Sequence, residues 1–284
     1  MSDTPATHRL AVDDTRLAVH TSGSGIPLLL LHAFPLDHAM WGRQAPLAEH
    51  LRLIAPDQRG FGASGDDTPA SIEQLAADAL GLLDALHVAG PVVVCGISMG
   101  GYVAQHVALR HPERVAALIL VATKLEADTP EARAGRADLA AKVGRLGLGI
   151  LADAMLPRLL ADSAAARTAA DRGAIETLLR QSILAQPLVT VQAALAALGA
   201  RPDLTEAMRG LRVPTLLVAG AEDAITPPAC LEAAEEIIPG AQLLIVPAAG
   251  HMVPLEQPEV FNAAVLEFLR DLPADRLAAG ARGA

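Results

Sequence analysis

Pro91-Val92-Val93-Val94-Cys95-Gly96-Ile97-Ser98-Met99-Gly100 is the stretch that decides how this chain folds. Pro91 to Cys95 is a short apolar run, the mark of a buried strand, and residues 101–110 carry a helical pattern. Between them stands a serine with a glycine two residues to either side. Strand, sharp turn and helix in that order hold the serine at the apex of a crowded turn. The flanking positions then need residues without bulk near the backbone. The hydroxyl is lifted off the end of the strand with the next residue's N–H beside it. Ser98 is the candidate nucleophile, and the chemistry expected of it is hydrolytic.

Outward from this turn, apolar runs at 26–32, 51–57, 91–96, 115–121, 213–219 and 242–246 read as strands. Near-continuous apolar strands imply a sheet covered on both faces, hence a mostly parallel one. Helical stretches such as 71–87, with Ser71 and Glu73 as cap-like residues at its start, alternate with them. The fold class expected is α/β, a mostly parallel central sheet covered by helices on both faces. Segments 9–12 and 16–21, around Asp13-Asp14, read as an N-terminal hairpin.

One region breaks the alternation. Residues 124–210 contain no convincing strand and are rich in Ala, Leu and Arg, with helical stretches at 131–146, 165–184 and 189–198. The organisation expected is a core in two parts, 1–123 and 211–284, with 124–210 inserted as a helical cap over the carboxyl end of the sheet.

Composition bounds the rest. The 284 residues are 52% hydrophobic, enough for a sizeable core, while aromatics are only 2%. Ala, Leu, Val and Ile must therefore fill that core. A net charge of −10 leaves no basic footprint for nucleic acid. Cys95 and Cys230 read as free thiols rather than a disulfide framework. Neither a signal-peptide pattern nor an apolar run of membrane-spanning length is seen, so no membrane partner and a cytoplasmic location are expected. Segments 1–7 and 274–284 are expected to be mobile.

A serine hydroxyl needs a base to take its proton, and the base needs a partner to hold its tautomer. Both candidates stand on loops just past predicted strands, where open parallel sheets bind ligands. Gly220-Ala221-Glu222-Asp223 follows one strand, and Ala249-Gly250-His251 follows another. His251 is the candidate base and Asp223 the candidate acid, with Glu222 its neighbouring competitor. No metal-ligand spacing is evident, and His38, His106 and His111 lack clustered partners in the sequence.

With these motifs in place, the chain resembles the α/β-hydrolase-fold serine hydrolases, of the cap-bearing esterase and enol-lactonase type. His32-Ala33-Phe34-Pro35, Asp57-Gln58-Arg59-Gly60-Phe61-Gly62-Ala63-Ser64, the serine turn, and the Asp and His loops match in order across residues 26–269. Any one alone is weak; together they are specific. The resemblance implies acyl-ester chemistry on a small ester or lactone, without a cofactor. It places the acid at Asp223, ahead of Ile225-Thr226-Pro227; some members carry it after an earlier strand, where Glu126 is nearest. It implies an oxyanion hole from the backbone N–H groups of Phe34 and Met99. The family often has Gly where Ala33 stands, a mild departure. The same scaffold also serves carbon–carbon bond hydrolases, cofactor-free perhydrolases and ligand-binding receptors.

Other residues are expected to be structural. His32 belongs to the oxyanion loop; Asp57, Arg59 and Ser64 fix a turn; Trp41 packs; Glu256 stands at the start of a helix ahead of Pro258. Arg133, Arg136, Lys142 and Arg145 are expected on a solvated helix face, with a gate for anions as the sharper alternative.

Overall fold

The fold is that of a computed structural model, which describes residues 6–64, 67–163, 166, 171–273 and 276–277. Eight strands form one sheet: β1 (Ala6–Val12), β2 (Thr15–Ser22), β3 (Ile26–Leu31), β4 (Leu51–Pro56), β5 (Val92–Ile97), β6 (Val115–Val121), β7 (Thr215–Gly220) and β8 (Gln242–Val246). Their order across the sheet is β1-β2-β4-β3-β5-β6-β7-β8. β1 and β2 form the expected hairpin, and β2 joins β4 antiparallel. Every pairing from β4 to β8 is parallel. Every residue of β5, β6 and β7 is buried, as a sheet covered on both faces requires.

The order matters for the site. From β3 the chain runs outward to β4, then returns to β5 on β3's other side. Loops leaving β3 and β5 therefore part at the carboxyl edge and open a crevice between them. Leu31 pairs with Gly96, so the residues that follow each strand emerge level with one another.

Helix α1 (Ile72–Ala85) begins at Ser71, whose side chain accepts the Gln74 N–H at 3.1 Å. Helix α2 (Met99–Arg110) follows β5 and packs on β3, β5 and β6. Between β6 and β7 the described residues form α3 (Pro130–Leu146), α4 (Gly149–Leu159), α5 (Arg172–Ala185), α6 (Leu188–Ala200) and the single turn α7 (Thr205–Met208). No strand occurs among the described residues of 124–210. The helix expected over 165–184 falls partly on residues 165 and 167–170, which lie outside the described residues, as do most of the two terminal segments expected to be mobile.

Several elements are additional to the sequence reading, two of them longer ones with a proline inside. A 3-10 helix (His38–Glu49) contains Gly42 and Pro46, and α4 contains Pro157, so neither carries an unbroken helical pattern. After β7 come α8 (Pro228–Ile237), the short turn α9 (Val253–Glu256) and α10 (Pro258–Arg270). Among the described residues no single helix is long and apolar enough to cross a membrane; α5 and α6 reach that length only as a pair bent by 98°.

Candidate active site

Ser98 occupies φ 53°, ψ −113°, a region that a residue with a Cβ rarely adopts. Such strain persists only when the surroundings over-determine it. Here they do. The Ser98 N–H donates to Val121 O at 2.9 Å, and its carbonyl accepts from Tyr102 N and Thr123 Oγ1, each at 3.1 Å. A Cβ on Gly96 would stand 2.1 Å from Gly100 O, and one on Gly100 would stand 2.1 Å from Leu31 O. The strand end, the turn and the helix start are thus pressed together at their main chains. The Ser98 hydroxyl makes no capping bond to α2.

Asp223 and His251 meet at the ends of β7 and β8. The Asp223 Oδ2–His251 Nδ1 distance is 2.8 Å, and both residues are buried. Asp223 Oδ1 accepts the N–H groups of Ile225 (2.7 Å) and Thr226 (2.9 Å), and Oδ2 accepts the Thr226 hydroxyl at 2.7 Å. Burial alone would push this carboxyl up; the imidazole beside it and the backbone donors outweigh burial and hold it below its ordinary value. An ionised carboxylate only accepts, so Nδ1 of His251 donates to it and Nε2 is left as the basic nitrogen. Glu222 points elsewhere: it accepts the N–H groups of Asp162 (3.0 Å) and Ser163 (2.8 Å). Glu126 has no hydrogen bond or ion pair to His251 among the described residues.

The amides of Phe34 and Met99 have no hydrogen-bond partner among the described residues. Met99 is the first residue of α2, where N–H groups are left free by helix geometry. Phe34 lies in the loop after β3, braced by His32. The buried His32 ring accepts the Gln58 N–H at Nε2 (2.9 Å) and bonds Ala33 O through Nδ1 (3.0 Å). Ala33 is not among the residues with positive φ, so its methyl group brings no backbone strain where the family often has Gly.

A segment of the insertion is stitched to both loops that carry the acid and the base. Met252 N donates to Leu159 O at 3.1 Å, and Arg158 Nη2 donates to Ala224 O at 3.1 Å. Glu256 joins the two regions: one oxygen accepts Ala161 N (2.6 Å) and the other accepts Gly250 N (2.8 Å). Burial pushes its carboxyl up, against the pull of those two donors. Sequence reading placed Glu256 at a helix start and missed this bridge.

Asp57, Arg59 and Ser64 organise one turn. Asp57 accepts from His38 N (2.9 Å), the His38 ring (2.7 Å) and Ala63 N (2.8 Å). Arg59 holds Asp78 through two bonds of 2.8 and 2.7 Å, and Ser64 donates to Asp57 O. His38 does have partners: its ring stacks on His20 at 3.2 Å, and His20, His38 and Asp57 bring possible ligand atoms within 4.8 Å of one another. The hairpin makes this cluster, which spacing along the chain conceals. Trp41 is buried, 6.3 Å from Phe261. Cys95 is buried in β5, and Cys230 is free and half-buried.

Ser98 and His251 line one cavity of about 490 Å³, together with Phe34, Tyr102, Ile225 and Thr226. Its roof is Leu139, Met155, Leu195 and Leu198, all from the insertion. A larger hollow of about 920 Å³ near Leu156 and Arg180 contains none of the residues proposed for chemistry.

Residues 26–258 match the family described as alpha/beta hydrolase fold. A thermophilic esterase from Thermogutta terrifontis, solved with malate bound, is 39% identical; the match covers 93% of this chain and 98% of that one, with a TM-score of 0.87. The pimeloyl-[acyl-carrier protein] methyl ester esterase of Nitrosomonas europaea is 32% identical, over 86% of this chain and 95% of that protein. The 3-oxoadipate enol-lactonase 2 of Acinetobacter baylyi is 30% identical, over 84% and 86% of the two chains.

Proposed function

The chain belongs to the alpha/beta-hydrolase-fold family, and from that premise we propose that it is a serine hydrolase of small carboxylic esters or lactones, working through an acyl-enzyme. Ser98 attacks the carbonyl carbon while His251 Nε2 takes its proton. Asp223 holds the imidazole tautomer and stabilises the imidazolium. The carbonyl oxygen, now negative, is received by the N–H groups of Phe34 and Met99, whose lack of internal partners suits that role. The tetrahedral adduct collapses, and His251 returns the proton to the leaving alkoxide. Water, activated by the same imidazole, then attacks the acyl-serine and releases the acid and Ser98.

The observation that carries this reading is the 2.8 Å Asp223–His251 contact, with His251 and the strained Ser98 lining one cavity. Two esterases and an enol-lactonase among the relatives support ester or lactone chemistry. Residues 124–210 act as a cap that shapes the substrate pocket; the insertion side chains in the cavity wall support this. The test is Ser98→Ala, which should lower 4-nitrophenyl acetate turnover by about 10³-fold or more with an unchanged circular dichroism spectrum. Wild-type turnover in that variant would overturn the assignment. A panel of alkyl esters, enol-lactones and C–C bond substrates then ranks the reaction classes.

A further inference from the structure

Of the charged side chains that line the cavity with Ser98 and His251, three are cationic, Lys124, Arg136 and Arg158, and one is a carboxylate, Asp128. The chain as a whole carries −10, so the wall around the nucleophile reverses the sign of the protein.

Asp128 does not neutralise this set, because it is shared. It is buried; Oδ2 accepts Arg136 Nε at 2.5 Å, while Oδ1 accepts Arg201 Nη1 at 2.9 Å and lies 3.6 Å from Lys124 Nζ. Burial alone would push the carboxyl up, but the guanidinium groups of Arg136 and Arg201 outweigh it and keep Asp128 charged. Arg201 is itself consumed behind the wall. It lies over the Tyr102 ring at 4.1 Å and donates to Leu198 O and Glu126 O.

The three lining cations retain free donors. Lys124 has only the 3.6 Å contact to Asp128 among the described residues. Arg136 reaches Asp128 through Nε, and Arg158 gives one N–H to Ala224 O at 3.1 Å. Glu126, the other carboxylate nearby, forms no ion pair with any of the three among the described residues and is absent from the lining. Cations left under-compensated in a cleft with apolar walls focus a positive potential on its contents. A carboxylate is a group whose geometry matches such donors.

We infer that the cavity takes an anionic substrate: an ester or lactone bearing a free carboxylate remote from the carbonyl that Ser98 attacks, received by Lys124, Arg136 and Arg158. This rests on the hydrolase reading above. It also corrects the expectation of a wholly solvated cationic face on α3, since Arg136 faces the cavity while Arg133, Lys142 and Arg145 are exposed.

The probe is a pair of esters of equal length, 4-nitrophenyl hexanoate and the mono-4-nitrophenyl ester of adipic acid, which differ by a terminal methyl against a carboxylate. Wild type should favour the adipate ester in kcat/KM by about tenfold or more, the scale of one charge-assisted hydrogen bond. Lys124→Gln and Arg158→Gln should each shrink that preference several-fold, chiefly through KM for the charged ester, and added salt should shrink it in wild type. Arg158 is exposed and bonds only a carbonyl, so Arg158→Gln serves if Lys124→Gln disturbs Asp128. Ser98-dependent turnover with equal preference, unmoved by either substitution, overturns the inference and leaves the hydrolase reading intact. Calorimetric binding of the two esters to Ser98→Ala reads the site without turnover. A Lys124-dependent preference for the adipate ester there, with wild type hydrolysing neither ester, sustains the anion site and overturns the hydrolase reading; no preference in binding overturns the anion site.

Discussion

Gly100 and Gly135 sit in two helices that border the same cavity, α2 through Tyr102 and α3 through Gly135 itself, and they obey different rules. A methyl group on Gly100 would lie 2.1 Å from the Leu31 carbonyl oxygen; one on Gly135 would meet nothing within 4 Å. The sheet edge that carries Ser98 is held by main chain pressed on main chain. Helix α3 above it is held more loosely: of its 17 residues, only Val143 is fully buried. Precision is concentrated where the proposed bond-breaking occurs, and tolerance where substrate shape is met.

The comparison breaks first, and by the largest margin, at the proposed acid. Asp223→Asn should lower turnover by about 10³–10⁴-fold, because an amide no longer holds the productive imidazole tautomer. The same variant carries a pH signature. A carboxyl held below its ordinary value stabilises the fold above its unfolded pKa, about 3.9, and that contribution is lost as pH falls through the lower folded value. In denaturant titrations the margin of wild type over Asp223→Asn should therefore be steady above about pH 5 and close below about pH 4. A margin that widens on acidification would contradict the assignment.

Next comes Gly100→Ala, expected to cost about 3 kcal/mol of unfolding free energy in denaturant titrations and to depress turnover more than stability explains, since Leu31 leads into the Phe34 loop. Glu256→Gln probes the seam. An amide keeps one acceptor and turns an NH₂ toward the other backbone N–H, for about 1–3 kcal/mol of lost stability. Gly135→Ala closes the series with the opposite sign: the same methyl group should raise the unfolding free energy by about 0.5–1 kcal/mol by improving helix propensity. If both alanine variants lose stability equally, the contrast between the two regions is wrong.

The sheet and the serine turn are readable from the chain because their requirements are local. Apolar runs over 92–97 and 115–121 are buried on both faces, and glycines stand where main chains touch. The candidate triad was legible because each member follows a strand that the apolar pattern marks. The seam was not. Glu222 and Glu256 accept main-chain N–H groups 60 and 95 residues away, and no spacing along the sequence encodes that. Arg136 and Arg133 share one polar helix and read alike until the fold turns one of them inward. The 3-10 helix and α4 were missed because Pro46 and Pro157 interrupt the pattern by which a helix is recognised.

The bonds from residues 158–163 to the loops below involve the main chain of the insertion wherever Leu159, Ala161, Asp162 and Ser163 take part. The bonds made by Leu159 and Ala161 therefore do not depend on which side chains those two positions carry. A roof grafted from a relative would need to reproduce a backbone path over Glu222 and Glu256 rather than a sequence. The seam thus asks for a backbone shape above the two glutamates and leaves the cavity-facing side chains of the roof free of that duty.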